Sequence, residues 1–249
     1  MIIIKKIFYF TIIVFIFLGL FFFKNIKNSD VINQSCNIVK DNSYEKAKYN
    51  SKETNLNKDI EPIFLFSPIP DEIKKSIIGY SMPQNEPISF EKLSYLKLGH
   101  YDFYGNIQMG EMIVDKRIAA EVIDIFKEVF EKKYPIDKIK LIDEYRAVDT
   151  LSMSNNNSSS FCYRTIANTN KISNHGKGLA IDINPLQNPH VIGDTVSPKE
   201  GSSFADRSVM QMGMIVEGDD LYNAFIKRGW SWGGHWKNPD YQHFEKNLD

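Results

Sequence analysis

The run Ser173-Asn174-His175-Gly176-Lys177-Gly178-Leu179-Ala180-Ile181-Asp182 constrains the fold more than any other part of the chain. After Gly178 the residues alternate. Leu179, Ile181 and Ile183 share one face, while Ala180, Asp182 and Asn184 share the other. In a strand of period two, the aliphatic face goes to the core and Asp182 points away from it. Gly176 and Gly178 permit the close backbone approach that brings His175 round to meet Asp182.

A second segment carries the remaining chemistry. Trp232-Gly233-Gly234-His235-Trp236 is followed by Asp240-Tyr241-Gln242-His243-Phe244-Glu245. Pro239 marks a turn, and Tyr241 to Glu245 reads as a short strand with Asp240 at its mouth. His175 and Asp182 together with His243 make an N,O,N ligand set. Three protein ligands with a fourth position left for water is the pattern of a catalytic rather than a structural zinc. Asp240 is then a carboxylate beside the metal, suited to take a proton from water and deliver it to a leaving amine. Taken alone, a histidine near a glycine turn is commonly structural, and Asp-x-x-His has little specificity. The two segments gain meaning together.

Around them, the chain reads as short helices among short strands without a repeating βαβ rhythm, so the expected class is α+β. Asp71 caps a short helix through Ile77, and Ser94–Gly99 and Phe103–Ile107 read as short elements around turns. A helix is expected from Asp115, with Ile118, Val122, Ile125, Phe126, Val129 and Phe130 on one face and an end at Tyr134-Pro135. Ile139, Leu141 and Asp143 alternate with Lys140 and Ile142 as in a strand, and the polar run Ser152–Ser160 is expected to be a loop. A further helix runs from Asp219 or Asp220 to Arg228, with Gly229 just beyond its end. His100 and His190 read as ordinary turn residues, and Asp206-Arg207 as a structural ion pair.

The other end of the chain has a different character. Ile7 to Phe23 is free of charge and flanked by Lys5, Lys6, Lys24 and Lys27. Seventeen helical residues reach roughly 25 Å, just short of the bilayer core of about 30 Å. No small-residue cleavage site follows, so residues 1–23 are expected to be an uncleaved signal anchor. Residues 24–60, rich in Asn, Lys and Ser, bury too little apolar surface to order themselves and read as a polar tether. A folded domain is expected over 61–249, with its core at 93–245. Of the 249 residues, the first 60 hold nine lysines against five acidic residues, while the whole chain nets −1. That balance excludes a dedicated nucleic-acid binder and points the basic end at a membrane surface. Two cysteines, Cys36 and Cys162, exclude a disulfide-built scaffold, and no pairing between them is expected.

Ser173 to Asp182 fits S-x-H-x-x-G-x-A-x-D at every fixed position, and Asp240-x-x-His243 supplies an acidic residue, two spacers and a histidine. In both, the chain resembles the zinc D-alanyl-D-alanine carboxypeptidase family, which shares a fold group with lysostaphin-like peptidases and the hedgehog signalling domain. The resemblance runs through roughly Leu93–Glu245 and includes Gly110–Val114, Tyr134–Ile136, Asp182–Pro185 and Gly229–Gly234. It implies a mostly antiparallel sheet with flanking helices and a zinc site on the sheet. It also implies zinc held by His175, Asp182 and His243, with Asp240 as the base. An upstream arginine that polarises the scissile carbonyl matches Arg164, with Arg146 as the alternative. Ser173, Trp236 and Arg146 are the expected substrate contacts.

The family's substrates imply peptidoglycan stem peptides outside the cell and a monomeric, membrane-anchored enzyme. Many members carry Glu at the position of Asp240 and Trp at that of Gln242. Asp with His-Phe-Glu is closer to the branch that includes L-alanyl-D-glutamate endopeptidases. A non-catalytic, zinc-stabilised wall-binding module is the rival reading, and the complete residue set argues against it.

Overall fold

The computed structural model describes residues 61–166 and 169–248. The expected anchor, tether and Cys36 lie outside them. Among the described residues no helix is long and apolar enough to cross a membrane.

The architecture is mixed α and β, with antiparallel sheets and flanking helices. Strand β1 (Phe64–Ser67) precedes a short helix α1 (Asp71–Ile77), in which Pro70 holds the cap position and Asp71 is the first helical residue. Strands β2 (Leu93–Tyr101) and β3 (Ile107–Asp115) then form a long antiparallel hairpin, and β1 completes a three-stranded sheet in the order β1-β2-β3. The short elements expected here are therefore two nine-residue strands. Nearly every residue of β2 is buried, on both faces. Leu96 and Leu98 face the main core, while Leu93 and Tyr95 face a second apolar cluster with Ile69, Ile77 and Phe161. A strand packed on both sides loses the polar alternation by which strands are recognised.

Helix α2 (Ala119–Glu131) buries Val122, Ile125, Phe126 and Val129, as its spacing predicts. It starts later than expected, because Asp115 ends β3 and spends its carboxylate on the Arg117 side chain at 2.7 Å. The strand expected over Ile139–Asp143 is only Lys138–Ile139 (β4), followed by a 3-10 turn at Ile142–Tyr145. Asp143 is held there by Ser81, whose backbone N–H and hydroxyl both donate to it at 3.0 and 2.9 Å.

The largest correction concerns Ser152–Ser160. It is not a surface loop. Helix α3 (Asp149–Ser154) and strand β5 (Asn157–Ser158) occupy it, and Ser152 and Asn156 through Ser160 are buried. The side chains of Asn156, Asn157 and Ser158 replace lost water by bonding backbone groups of neighbouring segments, whereas the Ser160 hydroxyl has no partner among the described residues. The Asn157 amide accepts from Lys140 N at 2.8 Å and donates to Lys140 O at 3.1 Å. Asn156 accepts from Leu186 N, and Ser158 from Asn184 N.

Helix α4 (Asn174–Lys177) leads into β6 (Ala180–Asp182), and β7 (His190–Ile192) and β8 (Thr195–Ser197) form a small hairpin. Helix α5 (Asp220–Ile226) is capped by Asp219, which accepts from Tyr222 N at 2.6 Å. Strands β9 (Ser231–Trp232) and β10 (His243–Glu245) close a second antiparallel sheet in the order β6-β10-β9. The main core lies under this sheet. Phe244 of β10 stacks on Phe225 of α5 at 4.2 Å between ring centroids, and Ile181 and Ile183 are fully buried as their alternation predicts.

Candidate metal centre

Helix α4 is barely one turn, and local chemistry defines both of its ends. Ser173 accepts from Gly176 N at 3.0 Å as the cap. Gly178 ends the turn at φ +72°, a left-handed conformation that a side chain disfavours. The chain then enters β6, and His175 comes round to Asp182 as the glycine spacing implies. Strand β10 pairs antiparallel with β6 so that His243 stands directly opposite Asp182.

Three donor atoms converge from these elements. Nε2 of His175 lies 3.2 Å from Oδ2 of Asp182, Nδ1 of His243 lies 3.1 Å from Oδ1, and the two nitrogens are 3.1 Å apart. All three residues are buried. The outward nitrogens of both imidazoles are engaged. His175 Nδ1 lies 2.8 Å from the Ser160 carbonyl, and His243 Nε2 lies 3.2 Å from Oε2 of Glu245. Glu245 Oε2 also accepts from Asn174 Nδ2 at 2.8 Å. Carbonyl and carboxylate acceptors on the far nitrogens hold the outer edge of each ring, so that a metal bound between them would meet the inner nitrogen of both.

The electrostatics agree. Burial opposes a charge on His243, but Asp182 and Glu245 outweigh it and push its pKa up to about 10. Burial would likewise raise the Asp182 carboxyl, yet His175 and His243 hold it well below the usual carboxylate range. The cluster draws positive charge to one point, and two imidazoles with one carboxylate are a donor set that suits zinc.

Asp240 sits beside this centre, mostly buried. Its Oδ1 accepts from Gln242 Nε2 at 3.1 Å, and its Oδ2 lies 4.0 Å from His190 Nδ1. Burial, and then the charge of Asp182, raise its pKa. The Trp232-Gly233-Gly234 bend makes room for it. A Cβ on Gly233 would meet the Asp240 carbonyl oxygen at 2.6 Å and His243 Cβ at 3.2 Å. His190 is thus a strand residue facing Asp240 and not an ordinary turn residue.

Arg164 pairs through Nη2 with Oδ2 of Asp149 at 3.2 Å, while its Nη1 has no partner among the described residues. Burial weakens its proton affinity, but the Asp149 carboxylate, the nearby Cys162 sulfur and the Asp182 carboxylate more than restore it. Arg146 is exposed, at φ +56°, and makes no hydrogen bond or ion pair to the cluster. Ser173 and Trp236 line an open cleft of about 640 Å³ with Ile166, His175, His243 and Glu245. The half-exposed Trp236 ring lies 5.1 Å from that of His243. A cavity of similar size near Phe66, Phe90 and Leu93 holds no donor cluster, so chemistry rather than volume singles out the first.

Other expectations fare unevenly. Trp230 and Trp232 are buried as structural residues, with their indoles donating to Glu121 and the Tyr241 carbonyl. His235 lies at the surface, 3.4 Å from Glu217. His100 is a buried residue of β2, and burial lowers its pKa to about 4. Asp206 and Arg207 do not pair: Asp206 accepts from Ser208 N, and Arg207 donates to the Gln187 carbonyl and covers the Tyr241 ring. Cys162 is buried and free. The supports from Ser160, Glu245, Asn174 and Asp149 were missed. Ser160 acts through its backbone, so no residue pattern could reveal it, whereas Glu245, two residues beyond His243 in a strand, was open to discovery.

Residues 167–246 match the family model described as D-alanyl-D-alanine carboxypeptidase, a peptidase family, and this stretch contains the whole His-Asp-His cluster and Asp240. The match covers about a third of the chain's length. No curated protein and no solved structure matches the chain.

Proposed function

We propose that the protein is a zinc-dependent peptidase that hydrolyses peptidoglycan stem peptides. The observation that carries this reading is the convergence of three buried donors, each imidazole oriented by a second acceptor, within the stretch that matches the peptidase family. The antiparallel sheet bearing the donors supports a place in the fold group of lysostaphin-like peptidases and the hedgehog domain.

His175, Asp182 and His243 would hold the metal. A zinc ion there supplies Lewis acidity, which polarises a carbonyl and makes water available as a nucleophile near neutral pH. The remaining work belongs to side chains. Asp240, steadied by Gln242, takes the proton of the attacking water and passes it to the departing amine nitrogen. Arg164 places a fixed positive charge for the carbonyl oxygen as negative charge develops on it. Trp236 and Ser173 border the cleft in which the peptide lies.

The domain acts as a monomer on the wall side of the membrane, anchored by residues 1–23 and tethered by 24–60. What supports this is the charge-free run Ile7–Phe23 and a substrate that exists only outside the membrane. The test of the activity is digestion of defined stem peptides by zinc-loaded protein, with products weighed by mass spectrometry. Loss of a terminal D-alanine marks a carboxypeptidase, and a cut between L-alanine and D-glutamate marks an endopeptidase. Peptides left whole by zinc-replete protein would overturn the proposal.

A further inference from the structure

Arg164 lies in a segment without regular secondary structure, so its backbone alone does not hold its long side chain in place. The side chain has one ion-pair partner among the described residues, Asp149, through Nη2 at 3.2 Å. Nη1 is buried and has no hydrogen-bond partner among the described residues. A purely structural arginine–carboxylate pair commonly uses both prongs of the guanidinium. Here one prong is anchored, and the other is left as a costly unsatisfied donor. Asp149 is the first residue of α3, and Val148 holds the cap position before it. At the far end of the same helix, Met153 Sδ accepts from Gln242 Nε2 at 3.4 Å, and Gln242 also holds Asp240. One short helix therefore touches the supports of both groups flanking the metal donors.

We infer that Asp149 is the positioning residue of Arg164: it grips one guanidinium nitrogen so that the other is presented to the substrate's carbonyl oxygen. The inference rests on the role proposed above for Arg164. An arginine released from this anchor keeps its charge but loses its aim, and misplacement of a group acting on the transition state lowers turnover more than it weakens substrate binding.

The test is a double-mutant cycle with kcat and KM measured on a defined stem peptide, alongside zinc content and thermal unfolding. Asp149→Asn is expected to lower kcat by about 10- to 100-fold, with KM and zinc content little changed. Asp149→Glu, which keeps the charge, should recover part of the loss. In the Arg164→Ala background, Asp149→Asn should cause no further fall, because the group it positions is gone. An unchanged kcat in Asp149→Asn, or the same fall in both backgrounds, would overturn the inference while leaving Arg164 its role. Full kcat in Arg164→Ala alone would instead overturn the role of the arginine, and that of Asp149 with it.

Discussion

Asp240 and Glu245 stand five residues apart on either side of His243, and their surroundings drive them in opposite directions. Burial and the Asp182 charge raise Asp240, whereas the hydrogen bond from His243, with help from Asn174, lowers Glu245. Glu245 therefore stays ionised and serves as an acceptor that orients the His243 ring, while Asp240 is suited to carry a proton. Asp240→Asn is expected to keep its zinc and lose hydrolysis by on the order of 10²–10⁴-fold. Metal analysis and turnover on the same preparation check this, and near-normal turnover in the zinc-replete variant would assign the base elsewhere. His175 with Asp182, and Asp240 with His243, could be read as pairs because each lies within one short segment, but the two segments are 61 residues apart and meet only through the pairing of β6 with β10. Asp149 and His190 could not. Each meets its partner through the fold alone, across 15 residues to Arg164 and 50 to Asp240.

Elements were legible where one face alone carries large apolar side chains. Helix α2 buries one face at helical spacing; strand β6 is buried on both faces and was legible only because Ala180, Asp182 and Asn184 keep its second face free of large aliphatic side chains. The β2–β3 hairpin has apolar clusters on both sides, and its pattern reads as no pattern at all. The Ser152–Ser160 segment misleads in the other sense. Its polar residues are inside because they bond the backbone of the strands around the site, with Ser159 and Asp182 exchanging backbone bonds at 3.0 and 2.9 Å. The junction between the hairpin and the site is narrow. Gly178 O accepts from Asp115 N at 2.8 Å, and a Cβ on Gly178 would lie 2.6 Å from that nitrogen. Gly178→Ala is expected to cost about 1–3 kcal/mol for its left-handed backbone alone, with the clash adding to it. Its urea midpoint should fall and its zinc affinity weaken, because His175 and Asp182 flank the displaced turn. A wild-type midpoint would show that the turn and β3 can part freely.

For the whole molecule, the proposed anchor sets where the site can work. The segment Lys24–Ile60 lacks Gly and Pro. As a flexible coil of up to 37 residues it would reach about 30–35 Å. With the proposed anchor, a reach of that order would keep the domain near newly made wall. Protease added to intact, wall-stripped cells should remove the domain and leave a membrane-bound stub. A protected domain, or mature protein in the medium beginning near residues 24–36, would contradict the anchor.

The central claim is that this His-Asp-His centre hydrolyses stem peptides with zinc. The digestion of one defined stem peptide tests it most directly when run on untreated protein, after chelation, and after zinc is restored. The account predicts cleavage at a single bond, its loss on chelation and its return with one zinc per chain. Cleavage that persists in metal-free protein, or an intact peptide in the presence of one tightly bound zinc, would contradict it.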